Sequence, residues 1–326
     1  MLYTAIGPQV LDPLTRDPRK ADAYRLDPYL REGLGSLARL RDPDVLNRYT
    51  FVVLKPDAVA GRRCELILGI LRSKGWHPAA ATTVRFDPLL VRELWRYQFN
   101  AASAQRIAVV DPLLSSGRSL LILLEDRNRP TWLPASVRLT AAKGSAEPSA
   151  AHSGDLRTRI GRINGLFNFM HTADEPADLV RELQLFSYQA GWDWCAGPLF
   201  GTAAAGTADP RETVMSLLAE LEAETPAHDL DLAACLRRLA RRPGPWGACA
   251  RDRPEPGHVD DWLGRLRRTP LPDGSARWDV LTVLTSWIDC NEEGVQPILA
   301  TGTSDAWRTG PAYAETHAET QEVTYA

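Results

Sequence analysis

From Tyr49 onward the chain alternates short apolar runs with stretches of helical periodicity. Phe51, Val52, Val53 and Leu54 suit a buried strand, which Lys55, Pro56 and Asp57 end abruptly. The spacing of Ile67, Ile70 and Leu71 predicts a helix over 65–74, with Gly75 as its stop. Further strands are predicted over 82–86, 119–124 and 167–170, and helical pieces over 87–99 and 107–114. After the last strand, Asp174 and Pro176 read as helix-start signals, and Leu179, Leu183 and Phe186 recur at helical spacing. Such alternation predicts an α+β sandwich over 49–190, a small sheet covered by helices.

On either side the pattern changes. Residues 1–48 are rich in Asp, Pro and Arg and read as an N-terminal extension lying on the main domain, with one helix near 28–40. A Gly/Ala/Thr-rich linker is expected over 197–206. Asp209, Pro210 and Glu212 then open a helix carrying Val214, Leu217, Leu218 and Leu221 on one face. Leu232, Cys235, Leu236 and Leu239 make a second stripe, Val259, Trp262, Leu263 and Leu266 a third, and 278–288 a fourth helix. We therefore expect an all-helical region over 191–300 and a loose tail over 301–326.

Composition narrows the function. The chain has 326 residues, enough for two domains, and its net charge of -3 does not advertise nucleic acid. It has no apolar run of the roughly 20 residues a membrane helix needs and no basic-then-apolar leader, so a cytoplasmic protein without membrane partners is expected. The five cysteines are odd in number and contain no CxxC pair, which indicates neither a disulfide framework nor a zinc site. Lysine occurs only at Lys20, Lys55, Lys74 and Lys143 among many arginines, so a lysine at a functional position is unusually informative.

The one histidine with a chemical setting is His171, where the apolar run Phe167, Phe169, Met170 gives way to polar residues and a ring nitrogen can open into a cleft. Glu182 lies two turns along the following helix, which doubles back past the strand and returns a carboxylate towards the ring. A carboxylate on one imidazole nitrogen fixes the tautomer and leaves the other free as a nucleophile, as acceptance of a phosphoryl group requires.

The run TFVVLKPDAV, the glycine-centred KGSAEP, the GDLR, and NFMHTAD followed by Glu182 together resemble the nucleoside diphosphate kinase family over about 49–190. The resemblance implies a ferredoxin-like core and transfer of the γ-phosphoryl group of ATP, through a phosphohistidine, to a nucleoside diphosphate. It implies His171 as the phosphorylated residue and Glu182 as its orienting carboxylate. Lys55 and Arg157 would contact the phosphates, Asn168 the ribose, and Asp174 would sit near a Mg2+ held chiefly by the nucleotide. Family members assemble as dimers or hexamers; extensions at both ends limit the expectation here to a homodimer.

This chain departs from the family pattern at several positions. Counted back from Gly144, the place of a second phosphate-binding arginine falls on Thr140, and Arg138 reaches the site only if the helix is re-registered. A phosphate-contacting threonine becomes Ala146, and the glycine and serine after the histidine become Thr172 and Ala173. The aromatic residue on which a base would stack is displaced; Arg106 falls near its place, and a guanidinium plane can stack on a base instead. Losing one charge-assisted phosphate contact costs about 1.5–3 kcal/mol, roughly tenfold to a hundredfold in binding. Three readings follow: a divergent phosphotransferase for nucleoside diphosphates, a specialised kinase of a non-standard metabolite, and a nucleotide-binding or scaffolding module with weakened catalysis.

Overall fold

The computed structural model describes residues 5–40, 42, 44–146, 148–202 and 209–308. Strands β1 (Tyr49–Leu54), β2 (Trp76–Arg85), β3 (Arg118–Asp126) and β4 (Met170–Thr172) form one antiparallel sheet in the order β2-β3-β1-β4. That order, with helices between the strands, is the ferredoxin-like α+β sandwich. Phe51 to Leu54 of β1 and Leu120 to Leu124 of β3 are completely buried. Their unbroken apolar runs fit a sheet covered on both faces, and full burial of each such side chain stabilises the fold by about 1.5–3 kcal/mol.

Between the strands run α5 (Pro56–Ala60), α6 (Cys64–Ser73), α7 (Pro88–Leu94), α8 (Ala104–Leu114), α9 (Ala135–Lys143), α10 (Leu156–Arg159) and, after β4, α11 (Pro176–Ala190). Two strands differ from expectation. β2 starts at Trp76 rather than 82, because pairing with β3 continues to Asp126 through a register shift at Pro78/Ala80 and overrides the weak strand signal of Pro and Ala. β4 covers 170–172 rather than 167–170, because Phe169 adopts a left-handed φ of 70° that interrupts a strand. The helix expected over 87–99 stops at Leu94 and resumes as a single turn at Phe99–Ala101.

The N-terminal extension carries α1 (Pro8–Leu11), α2 (Pro18–Tyr24), α3 (Pro28–Ser36) and the short α4 (Val45–Arg48). Helix α3 lies along α11, and Gly33 permits the approach: a Cβ there would stand 2.7 Å from the Val180 carbonyl oxygen. Lys20 is buried between Asp178 (2.6 Å) and Glu175 (2.9 Å) at the first turn of α11. Tyr24 donates to Asp178, while Thr15 and the Trp307 indole donate to Glu175. Segments from both ends of the chain thus converge on the helix that carries Glu182.

Past the sheet domain come α12 (Asp193–Phe200), α13 (Pro210–Glu224), α14 (Leu232–Ala240), α15 (Pro245–Asp252), α16 (Val259–Arg268), α17 (Ser275–Trp287) and α18 (Ser304–Trp307). Helix α13 packs on β2 and β3 through Val214, Leu218 and Leu221, α14 packs on α17, and α17 reaches α8. One apolar core runs continuously from Leu11 through the sheet to Leu299. Part of the expected linker, 203–206, lies outside the described residues, and 197–200 are helical. Of the stretch expected as a loose tail, 301–308 contain α18 with Trp307 buried against Leu133 and Val137; 309–326 lie outside the described residues.

Candidate active site

The end of β1 sets the first group. Lys55 follows the strand directly, and its N–H continues the ladder by donating to the Phe169 carbonyl at 3.0 Å. Its ammonium donates to the Leu166 carbonyl at 2.8 Å and lies 3.6 Å from Asp57. Burial pushes Lys55 down to about 8, with the Arg157 charge acting in the same direction and Asp57 opposing it. Asp57 accepts the Phe169 N–H at 3.0 Å and so braces the left-handed turn that feeds β4. Its other carboxylate oxygen is buried without a hydrogen-bond partner among the described residues.

His171 lies at the centre of β4, opposite Val53 of β1. Its ring packs between Phe51 and Trp95, with centroids 5.9 and 5.1 Å away and a T-shaped contact to the latter. Nε2 is 2.6 Å from Oε2 of Glu182, which leaves Nδ1 clear of the pair. Burial, then the Lys143 charge, lowers His171 to about 3, so the imidazole is neutral at pH 7. Burial and the Asp174 charge push Glu182 well above the usual carboxylate range.

Arg157, at the start of α10, donates to the carbonyls of Gly144 (2.9 Å) and Met170 (3.1 Å). Burial lowers it to about 10, and its Nε has no hydrogen-bond partner among the described residues. Gly144 has a φ of 77°, and a Cβ there would fall 2.2 Å from the Asp155 carboxyl carbon, so glycine is required where α9 turns towards Arg157. Asn168 donates to the Gly165 carbonyl at 2.6 Å. Lys55, Arg106, Arg157, Asn168 and His171 line one cavity of about 100 Å³, with Trp95 and Phe99 on its wall. Arg106 lies 5.8 Å over the Phe99 ring.

Two sequence candidates sit elsewhere or are otherwise engaged. Arg138 is not at the site: it pairs with Asp126 at 2.5 Å, donates to the Lys74 carbonyl and lies 3.8 Å over the Trp76 ring. The re-registration that would bring it in does not occur, because α9 runs regularly to Gly144 and points this position towards the end of β3. Asp174 accepts from Thr140 at 3.1 Å and lies 3.4 Å from Lys143; it does not line the cavity.

Sequence reasoning missed Lys143, Trp95 and Phe99. Lys143 is buried, donates to Thr172 at 2.7 Å, and stands 3.4 Å from Thr140, the position where the second arginine is absent. Burial lowers Lys143, with Arg157 acting alike and Asp174 opposing. The scarcity of lysine was the available signal: three of the four, Lys20, Lys55 and Lys143, are buried against carboxylates.

The nucleoside diphosphate kinase family model matches residues 48–190. A nucleoside diphosphate kinase of Methanocaldococcus jannaschii is 23% identical over 137 residues, 42% of this chain and 91% of that protein. Among solved structures, the nucleoside diphosphate kinase of Aquifex aeolicus aligns with a TM-score of 0.35 at 20% identity, covering 42% of this chain and 93% of its own. That of Encephalitozoon cuniculi aligns with a TM-score of 0.36 at 17% identity, covering 51% and 99%. On the family match and the antiparallel ferredoxin-like sheet, the segment 48–190 is a divergent member of the nucleoside diphosphate kinase family, carried within a longer chain.

Proposed function

We propose that the protein is a phosphotransferase that takes the γ-phosphoryl group of ATP onto Nδ1 of His171 and passes it to a nucleoside diphosphate. The observation that carries this reading is the 2.6 Å contact between Nε2 of His171 and Glu182 beside a cavity lined by Lys55 and Arg157. In the forward half-reaction the Nδ1 lone pair attacks the γ-phosphorus. The P–N bond forms as the bond from the γ-phosphorus to the bridging oxygen breaks, and the diphosphate leaves with that electron pair. Glu182 accepts the Nε2–H bond and stabilises the positive charge that develops on the ring. Lys55 and Arg157 neutralise phosphate oxygens, and Asn168 and Arg106 meet the nucleoside. The second half-reaction reverses these steps on a new diphosphate, so ping-pong kinetics follow.

The family implies Mg2+, and the protein groups here do not fit a metal site of their own. Asp174 is engaged by Thr140 and Lys143 and lies off the cavity. Among the described residues, the side chains close enough together to hold an ion, those of His228, Asp229 and Cys235, lie elsewhere, and Arg238 already donates to Asp229 and Cys235.

The test is incubation with γ-labelled ATP and Mg2+, mapping of the label, and a chase with diphosphates. Acid-labile label on His171 that leaves with a nucleoside diphosphate is the expected result. Label that stays until another metabolite is added would redirect the acceptor. Nucleotide binding without label would favour a binding module, for which Thr140 and Ala146 at two phosphate-contact positions speak.

A further inference from the structure

Two segments that line the catalytic cavity, 95–106 with Phe99 and Arg106 and 163–168 with Gly165 and Asn168, are both fastened to a strap, 288–299, that lies beyond the family-matched region. On the first segment, Arg106 donates to Asn291 at 3.1 Å and the Ser103 N–H donates to the Cys290 carbonyl at 3.2 Å. The Glu292 N–H donates to the Ala101 carbonyl at 2.9 Å, and the Leu299 N–H to the Tyr97 carbonyl at 3.3 Å. Asn100 donates to the Gln296 carbonyl at 2.8 Å and accepts the Ile298 N–H at 3.1 Å. On the second segment, a Cβ built on Gly165 would stand 3.0 Å from Sγ of Cys290, and Asn164 donates to Thr285, just ahead of the strap, at 3.2 Å.

At about 100 Å³ the catalytic cavity is smaller than the roughly 300–1,000 Å³ of a small-molecule site, so it holds a phosphoryl group and not a whole nucleotide. Arg106 and Asn168, the residues set to meet a nucleoside, belong to the two strapped segments. Making room for a nucleoside means moving one segment away from the other, and a strap fastened to both resists that. Its own hold is weak. Residues 291–298 are exposed, and only Ile288 and Leu299 at its two ends are buried. Between those ends the strap is kept down by polar bonds that water replaces at small net cost, the pattern of a segment that opens locally while the rest of the fold stays intact.

Resting on the reading of the His171 cavity as a nucleotide site, we propose that 288–299 is an autoinhibitory strap, which has to release 97–106 before a nucleoside diphosphate or triphosphate can enter. Release separates Arg106 from Asn291 and lets the two lining segments part. Closure afterwards leaves a space that fits the phosphorylated ring of His171 and little else. Donor and acceptor nucleotides pass the same strap, so it acts on both half-reactions alike.

The test locks the strap and loosens it in the full chain. In Gly165→Cys the new Cβ would lie 3.7 Å from Cβ of Cys290, within the range of a disulfide, so oxidation ties the strap down and a thiol reductant frees it. Asn100→Ala removes two of the bonds on the other side. Calorimetry with ADP is expected to show binding about tenfold or more weaker for oxidised than for reduced Gly165→Cys, and roughly threefold to tenfold tighter for Asn100→Ala than for the unaltered chain. In the unaltered chain, ADP should speed hydrogen exchange at the Glu292 and Leu299 amides, a readout that stands even where Gly165→Cys does not fold. Equal ADP affinity in the oxidised and reduced forms overturns the inference, and so do Glu292 and Leu299 amides that stay protected with ADP bound, even if His171 is labelled by ATP. A strap that ADP opens without any label reaching His171 from ATP upholds the inference and overturns the phosphotransfer reading. ADP binding to none of these forms overturns both.

Discussion

Nε2 of His171 and Oε2 of Glu182 stand 2.6 Å apart although the residues belong to different elements, a strand and the helix after it. The carboxylate holds the ring proton on Nε2 and leaves Nδ1 as the nucleophile. Substituting His171→Asn is expected to abolish acid-labile labelling from ATP. Glu182→Gln should keep the fold and slow labelling by roughly a hundredfold or more, measured in single-turnover experiments.

The pH profile of kcat/KM follows from the same groups. With His171 at about 3, the ring is neutral across the working range and sets no limb there. Glu182 is raised, so its protonation as pH falls begins above the usual glutamate range; the protonated acid donates to Nε2 and drives the ring proton onto Nδ1. Activity should therefore fall on the acid side through a limb that Glu182→Gln lacks. On the alkaline side Lys55, at about 8, loses its charge as pH rises, so activity should fall above about pH 8. Lys55→Arg should move that limb upward.

Lys143 is the largest charge holding His171 down. Replacing it by Met should raise the ring titration above about 3, followed by NMR of the imidazole, while Lys143→Arg keeps it low. The Met variant should also lose stability, because Asp174 forfeits its 3.4 Å cationic partner.

Gly144→Ala confronts both a φ of 77° and the Asp155 side chain. A loss of about 1–3 kcal/mol in urea unfolding is expected from the backbone strain alone. Labelling should drop as well, since Arg157 loses its hold on the Gly144 carbonyl.

Lys20→Met leaves Glu175 and Asp178 buried without their shared cation. Burial works against the Lys20 charge, yet these two carboxylates hold its titration above the ordinary lysine value. Denaturant unfolding should show a loss of about 3–5 kcal/mol, a buried charge stranded by removal of its partner.

By itself the sequence determined the elements that local periodicity encodes: the apolar run Phe51–Leu54 of β1, the helix after β4, and the amphipathic stripes of α13, α14 and α16. It also determined the pairing of His171 with Glu182, because a strand, a tight turn and two helical turns leave little freedom in where that carboxylate lands. Only the tertiary structure decided that Arg138 faces Asp126 and that Lys143 reaches Thr172, since which neighbour a helical side chain meets depends on how the helix packs. It alone decided that β4 begins at Met170, because Phe169 takes a left-handed turn held by a carboxylate 112 residues earlier in the chain. The joining of 285–293 to the rim of α8, and of Lys20 to the first turn of α11, likewise appeared only on folding: contacts between residues far apart in the chain leave no periodic trace in it.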